Sequence, residues 1–568
     1  MRITITSSKS TKTIAIIKDI TKGSKRTTKV VELLGTFEDI IEKHHCTDPV
    51  LWAKNYAKEL NLKEKEEHKK IILSLSSSEG RILDKQYLFN GGYLFLQSLY
   101  YQCDMKACCD AIQKKHQFKY NLNEILSNLI YSRILFPSSK CSTFECAQHY
   151  IEQPSFELHH LYRSLDVLAE EFNTIQAHVY KHSTQLIQRD TSVLYYDCTN
   201  FFFEIEQEDG IRKYGVSKEN RPNPIVEMGL YMDGSGIPLA IGIHPGNTNE
   251  QKTAIPLATT LHKEFECTKY VYCSDAGLGS KAIKKFHNTP NHAYVVTQSI
   301  KKLKGHLKEW STNSTGWKLP HSDKEINLTE IDHSPKNKNI YYKERWINEN
   351  GIEERLVVSY SPVYQHYLRT IRNNQINRAM KIVDKQSTKS KPRQNDPKRF
   401  IITEKITKEG EVAEEEIVTL NTTRIQEEEQ YDGFYAVVTT LEDDIEEILK
   451  INKGRWEIEE SFRIMKTNMK SRPVFLQKDN RIEAHFLTCF LGLFFYRVLE
   501  KKCDSKYTVN EIIETLKEMN YLKLDEGYVP TYKRTELTDK LHEAFNFPLP
   551  TEIIPKARIK KMINSSKK

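Results

Sequence analysis

Between residues 192 and 300, apolar runs and turn signals follow one another in an order that few folds can use. Strand-like runs fall at 193–196, 201–205 and 225–232, with a further apolar segment at 237–243. Gly246-Asn-Thr-Asn-Glu250 then leads into a predicted helix over 249–265, whose entry places Thr248 and Gln251 at capping-box spacing. A buried strand at 270–274, a short helix at 280–286 and a strand at 293–297 complete the series. A meander needs only turns, whereas parallel strands need a crossover, so this order builds one mixed sheet with helices on its faces.

That connectivity is the ribonuclease-H-like arrangement. The expected fold class is therefore α/β: a ribonuclease-H-like catalytic core, a mixed sheet with flanking helices, over 191–300 and 433–502. The core resumes at Gly433-Phe-Tyr-Ala-Val-Val-Thr439, where Thr440 and Asp443 are spaced to cap the next helix. Residues 301–432 are polar, with predicted strands at 324–331, 340–346, 354–360 and 401–408, and read as a β-rich insertion. Before the core, 1–45 alternates β-favouring runs with charged turns and predicts a small β unit, and 46–190 has helical spacing throughout and predicts an α-helical region. After it, 503–568 carries one clear helix at 509–519 and a basic tail.

Charge is informative only through its distribution. The 568 residues hold 84 Lys and Arg against 76 Asp and Glu, a net +8. Residues 369–399 alone hold ten cations against two acids, a surplus of eight, so one segment accounts for the whole excess. Within it Arg369, Arg372, Arg378 and Lys381 lie on a predicted helix over 366–384, and a Ser/Lys/Pro-rich loop follows. Such a run is either a solvated face or a surface for a nucleic-acid backbone.

The eleven cysteines, an odd and sparse set, point to a reducing compartment. Cys103, Cys108, Cys109, Cys141 and Cys146 lack any Cys-x-x-Cys pair and are expected in the core rather than on zinc. No signal core opens the chain, and the apolar run 486–499 carries Arg497 and is short for a bilayer, so no membrane segment is expected and the location is predicted to be cytoplasmic. Gly277-Leu-Gly279-Ser-Lys281 lacks phosphate-loop spacing and reads as a turn.

Three acids stand out by their addresses. Asp197 ends the apolar run Val193-Leu-Tyr-Tyr196, Asp275 ends Tyr270-Val-Tyr-Cys-Ser274, and Glu459 lies in the helical pattern Arg455-Trp-Glu-Ile-Glu459-Glu-Ser-Phe-Arg463-Ile-Met-Lys466. A carboxylate at a strand end faces the crevice beside a sheet, and two such groups with a third from a covering helix are a ligand set for paired divalent cations. At a regular helical pitch Arg455, Glu459, Arg463 and Lys466 share an arc of about 80°, and Ile458, Phe462, Met465 and Met469 form the buried stripe beside it. Trp456 projects off that stripe, toward either an unpaired base or the insertion. The competing account is that Arg455, Glu459 and Arg463 are i,i+4 pairs on a solvated face and that each Asp merely caps a turn.

Tyr195-Tyr-Asp197-Cys-Thr199, Cys273-Ser-Asp275-Ala-Gly277 and the 454–466 segment together resemble the DDE transposases of bacterial insertion sequences, in particular the subgroup with a Tyr-x2-Arg-x3-Glu-x6-Lys signature and a β-strand insertion between the second Asp and the Glu. Arg455-x3-Glu459-x6-Lys466 is intact, and 184 positions separate Asp275 from Glu459. The Tyr position is Asn452. The resemblance implies that Asp197, Asp275 and Glu459 are catalytic and bind two Mg2+ (or Mn2+) ions. It implies that Arg455, Arg463, Lys466 and Trp456 meet DNA, with Arg369, Arg372, Arg378 and Lys381 of the insertion expected on its backbone. The implied partner is double-stranded DNA, both the transposon inverted-repeat ends, bound through the N-terminal helical region, and the target. The implied assembly is a homodimer in the synaptic complex, in a bacterial nucleoid. Alternatives are a catalytically inactive or repurposed DNA-binding protein, or a structure-specific nuclease on the same fold.

Overall fold

The computed structural model describes residues 1–7, 11–22, 25–67, 86–349, 351–384, 396–406 and 415–568. Two compact units emerge from the packing. One is built from Met1–Tyr87, Leu522–Pro530 and Pro550–Ile559, the other from Leu88–Tyr521, Thr531–Leu549 and Lys560–Lys568.

The first unit holds the predicted small β unit. Strands β1 (Arg2–Ser7), β2 (Lys12–Lys22) and β3 (Lys25–Thr36) form an antiparallel sheet in chain order. Helix α1 (Phe37–His44) follows at once, started by a capping box between Thr36 and Asp39, and α2 spans Pro49–Glu67. Ile14, Ile40 and Ala53 form its small core.

The second unit opens with a short strand, β4 (Leu88–Asn90), and six helices: α3 (Tyr93–Gln102), α4 (Met105–His116), α5 (Leu122–Leu135), α6 (Lys140–Ala147), α7 (Leu158–Glu170) and α8 (Phe172–Ser183). The core strands are β5 (Val193–Phe202), β6 (Ile225–Asp233), β7 (Pro238–Pro245), β8 (Tyr270–Ser274) and β9 (His292–Thr297), with α9 (Ala254–Glu264) and α10 (Lys281–Phe286) as crossovers. β5, β6 and β7 make the expected antiparallel meander, and β8 and β9 run parallel to β5. Every residue of β6 is buried, as a strand covered on both faces must be.

Two features of this stretch differ from expectation. The runs 193–196 and 201–205 are one strand, because β6 stays paired along it from Leu194↔Asp233 to Phe202↔Ile225. Helix α9 is entered through a single 3-10 turn, Glu250–Lys252, capped by Asn249 rather than Thr248: the Asn249 side chain accepts from Gln251 N at 2.9 Å.

After α11 (Gly305–Thr312) the chain adds β10 (Tyr341–Glu349), β11 (Ile352–Tyr360), helix α12 (Pro362–Val383), the hairpin β12 (Ile401–Ile406) and β13 (Glu415–Leu420), α13 (Thr422–Glu429) and β14 (Phe434–Thr439). β10 and β11 do not form a sheet of their own. β14 pairs with β9 on one side and β11 on the other, giving one eight-stranded sheet in the order β10-β11-β14-β9-β8-β5-β6-β7. The expected strand at 324–331 is a 3-10 turn, Leu328–Glu330, with one bridge between Trp317 and Ile326. The Ser/Lys/Pro-rich loop, with Lys385, Lys389, Lys391 and Arg393, falls mostly outside the described residues, as does much of the acidic stretch after it.

Alternation along the strands divides the core in two. Leu194, Tyr196, Cys198, Tyr231, Tyr272 and Tyr294 face the α9 side, while Tyr195, Phe201, Met228, Leu230, Cys273 and Val437 face the helices of the other layer. That layer includes α14 (Ile445–Gly454), α15 (Trp456–Arg463) and α16 (Asp479–Lys502). Helix α16 is long and apolar enough to cross a membrane, yet 94% of its apolar window is buried in this fold, so it is the core helix that the run 486–499 predicts. Helix α17 (Val509–Glu518) begins with a Thr508–Glu511 capping box.

Candidate active site

Asp197 lies in the middle of β5, not at its end, but it stands at the level where the neighbouring parallel strand stops. β8 pairs with β5 as Tyr195↔Cys273 and terminates at Ser274. The same register carried two residues on sets Asp275 beside Asp197. Asp275 caps the short 3-10 turn Ala276–Leu278, accepting from Leu278 N at 3.0 Å through Oδ1. Gly277 and Gly279 thus belong to a turn, as expected.

The electrostatics register this proximity. Burial pushes the Asp197 carboxyl up to about 6. The charge on Asp275 adds to the rise, and Lys218, the Cys198 amide and Arg455 oppose it. The Cys198 amide donates to Asp197 Oδ1 at 2.8 Å.

Glu459 comes from the helix packed on β5. Ile458 and Phe462 bury one side of α15, and Glu459, one turn past Arg455, keeps 62% of its side chain exposed. The Arg455 guanidinium is 3.8 Å from Glu459 Oε1 and also acts on the charge of Asp197, so a single cation stands between the helix acid and the strand acids. The oxygens of Asp197, Asp275 and Glu459 do not all lie within 4.8 Å of one another. Gly454, the last residue of α14, lets the α14–α15 junction approach β5: a Cβ there would lie 2.1 Å from the Tyr195 hydroxyl.

The other predicted cations divide. Arg463 turns to Glu460, which accepts at 2.7 and 2.5 Å, rather than toward Glu459. Lys466 is mostly buried, because Ile464–Asn468 form a π-helical turn whose extra residue breaks the regular 100° projection. Its ammonium lies 3.3 Å from Glu219 and 5.3 Å from the centre of the Phe201 ring. Burial, reinforced by the nearby charge of Lys218, pulls it down to about 8. Trp456 is 56% exposed, as its projection predicts. Asn452, at the Tyr position of the signature, accepts weakly from Thr297 and Tyr435 at 3.5 Å.

On α12, Arg378 and Lys381 are exposed and Arg369 is half-exposed. Arg372 has to be withdrawn from the DNA-facing set. Its guanidinium is buried and donates to both oxygens of Asp432, at 2.6 and 2.5 Å, which leaves no donor fork for a phosphate.

Several charged groups around Asp197 carry no signature in the sequence. Lys218 donates to the Cys198 carbonyl and pairs with Glu250 at 2.9 Å. Burial works against its charge, but Asp197 and Glu250 outweigh it and lift Lys218 above the ordinary lysine value. Glu227, opposite Asn200 in the β5–β6 register, is 3% exposed with Oε1 unpaired. Burial, with Glu250 next, pushes it up to about 8. Glu219 also accepts from Arg472.

Residues 189–356 match the protein family described as Transposase DDE domain. Asp197 and Asp275 fall inside that match and Glu459 outside it. No curated protein matches the chain. Among solved structures, the chain is similar to a piggyBac transposase in a cryo-EM structure of its synaptic complex with hairpin DNA, with 9% sequence identity, a TM-score of 0.35, and coverage of 84% of each chain.

Proposed function

We propose that the chain is a metal-dependent DDE transposase that cleaves DNA strands at transposon ends and transfers them into target DNA. The observation that carries the reading is the placement of Asp275, one residue past the end of β8, beside Asp197 on the adjacent parallel strand β5, close enough for one carboxylate to raise the other, inside the segment that matches a transposase DDE domain. The strand order β7-β6-β5-β8-β9, three antiparallel then two parallel to the first, supports a ribonuclease-H-like core, with 301–432 as its insertion. Intact Arg455, Glu459 and Lys466 support the bacterial insertion-sequence subgroup.

The donor set suits hard cations. Asp197, Asp275 and Glu459 offer only carboxylate oxygens, and Glu459 is exposed enough to move. Two Mg2+ or Mn2+ ions held there would supply Lewis-acid activation of a nucleophile and charge stabilisation of the leaving oxygen. The chain's own groups do the rest. Arg455 holds Glu459 one turn along the helix while screening Asp197. Lys218 orders the backbone after Asp197 through the Cys198 carbonyl. The reading assigns a phosphate contact to Lys466 and the backbone of a longer duplex to Arg378 and Lys381. The reading takes double-stranded transposon ends and target DNA as partners, the 46–190 helices as an end-binding region, and a homodimer as the synaptic form.

The test is Mg2+-dependent cleavage and joining of DNA carrying the ends that flank the gene. Asp197→Ala and Glu459→Gln should each abolish both reactions while leaving DNA binding intact. Cleavage that survives Asp197→Ala, or binding indifferent to metal with no cutting, would defeat the assignment. Cutting without joining would mark a nuclease instead.

A further inference from the structure

Helix α8 carries His178 and His182 one turn apart, in the pattern His178-Val-Tyr-Lys-His182, with their rings stacked at 4.2 Å and 22°. Facing them is Asp104, in the turn between α3 and α4. One donor atom from each of the three residues lies within 4.8 Å of the other two, the only such group of three among the described residues. We infer that Asp104, His178 and His182 form a binding site for a divalent transition-metal ion, of the Zn2+ class, which ties α8 to the α3–α4 turn and is separate from the carboxylate centre.

Three observations beyond proximity support the site. First, His178 Nε2 is 2.9 Å from the Asp104 backbone oxygen. A carbonyl can only accept, so Nε2 carries the hydrogen and the neutral ring keeps its lone pair on Nδ1. Ligating histidines are oriented in this way, by donating their other ring N–H to a carbonyl or carboxylate.

Second, Asp104 occupies the N-cap position of α4 but does not cap it. Its backbone is left-handed, at φ 51° and ψ 31°, and its carboxylate makes no hydrogen bond to the helix. An aspartate at that position ordinarily accepts from the first turn. Here the carboxylate is left without that role, beside two imidazoles.

Third, the two elements are already fixed to each other. The Cys103 thiol, one residue before Asp104, donates to the carbonyl of Val179, one residue after His178, at 3.6 Å. Cys103 is fully buried. The donors, already within 4.8 Å of one another, have to close to the tetrahedral edge of about 3.3 Å that Zn–N bonds of about 2.0–2.1 Å require, on elements that are tied together. Three protein donors leave a fourth position to water. Two imidazoles with one carboxylate favour Zn2+ and its neighbours over Mg2+, so the two kinds of site are orthogonal in the same solution.

The experiment uses the full chain, stripped with chelator and dialysed against Zn2+ with Mg2+ in excess, with bound metal counted by mass spectrometry. The parent should retain one more Zn2+ per chain than His182→Ala, and Asp104→Asn should bind at least about tenfold more weakly. With Co2+ in place of Zn2+, the parent should show visible absorption bands that His182→Ala lacks. His182 is only partly buried, and unfolding of the metal-free variant should match the metal-free parent. Equal Zn2+ in parent and His182→Ala, or a parent that retains none, would overturn the inference whether or not the chain cuts DNA.

Discussion

The ammonium of Lys466 lies 3.3 Å from a carboxylate oxygen of Glu219. Burial, reinforced by the charge of Lys218, brings this lysine down to about 8, while Glu227 and Asp197 oppose the fall. Above that pH the amine is neutral and contributes no charge to a phosphate contact. DNA affinity of the parent, measured by anisotropy at fixed ionic strength, should therefore fall between about pH 7 and 9. Lys466→Arg stays charged over that range and should give a flatter curve. Parallel curves for the two proteins would show that Lys466 does not touch DNA.

Glu227 should make stability depend on pH. Its folded value, about 8, is above the ordinary one of 4.5. The folded state thus holds a proton that the unfolded chain releases between those values, so stability falls as pH rises from about 4.5 to 8 and is flat beyond. Glu227→Gln removes this penalty. Denaturant unfolding should show the variant more stable than the parent at pH 8, by up to about 4 kcal/mol, with the difference vanishing near pH 4.

The basic helix α12 should separate into a structural and a DNA-facing set. Arg372→Ala leaves Asp432 buried and unpaired, which should cost about 3–5 kcal/mol of stability. Arg378→Ala and Lys381→Ala should leave stability within about 0.5 kcal/mol. Each should instead lower the slope of log affinity against log salt for non-specific duplex by about 1. A slope unchanged in both variants would move the DNA path off this helix.

Gly454→Ala should act on the site at a distance. A Cβ at 2.1 Å from the Tyr195 hydroxyl has to push the α14–α15 junction, and α15 with it, away from β5 or displace a buried ring. The overpacking should cost about 1–3 kcal/mol. It should also reduce cleavage of end-containing DNA by more than the lost folded fraction explains, because Glu459 and Asp197 ride on the two displaced elements. Activity that follows the folded fraction alone would mean that α15 has no fixed seat on the sheet.

Local pattern carried the core strands well. Tyr270–Ser274 is a short apolar run bounded by turn residues, and nothing else competes for it. Asp275 was legible for the same reason, whereas Asp197, read as the end of a short run, lies in the middle of the longer strand β5. The partners of a strand are harder to read, since hairpin β10–β11 has the same alternation whether it stands alone or joins a larger sheet, and only β14 decides between them. The π-helical turn at 464–468 keeps Ile464, Met465 and Met469 apolar, as a regular helix would, so nothing in the residues betrays the changed bearing of Lys466. A run of charge counts cations without revealing which ones find acids, and Arg372 finds Asp432 sixty positions on. Lys218, Glu227 and Glu250 lie on separate segments with no motif. His178 and His182 do leave a signal, a His-x3-His pair, but it is remote in sequence from every cysteine cluster and from Asp104, its third partner.

The placement of β14 bears on how the chain is made. Its residues, 434–439, slot between β9 at 292–297 and β11 at 352–360. A ribosome that has synthesised the meander and both parallel strands has still not released the piece that shields their open border. Until it does, β9 offers unpaired amides and carbonyls to any passing strand. Premature termination anywhere in the intervening stretch would accordingly yield sticky fragments rather than a smaller folded core.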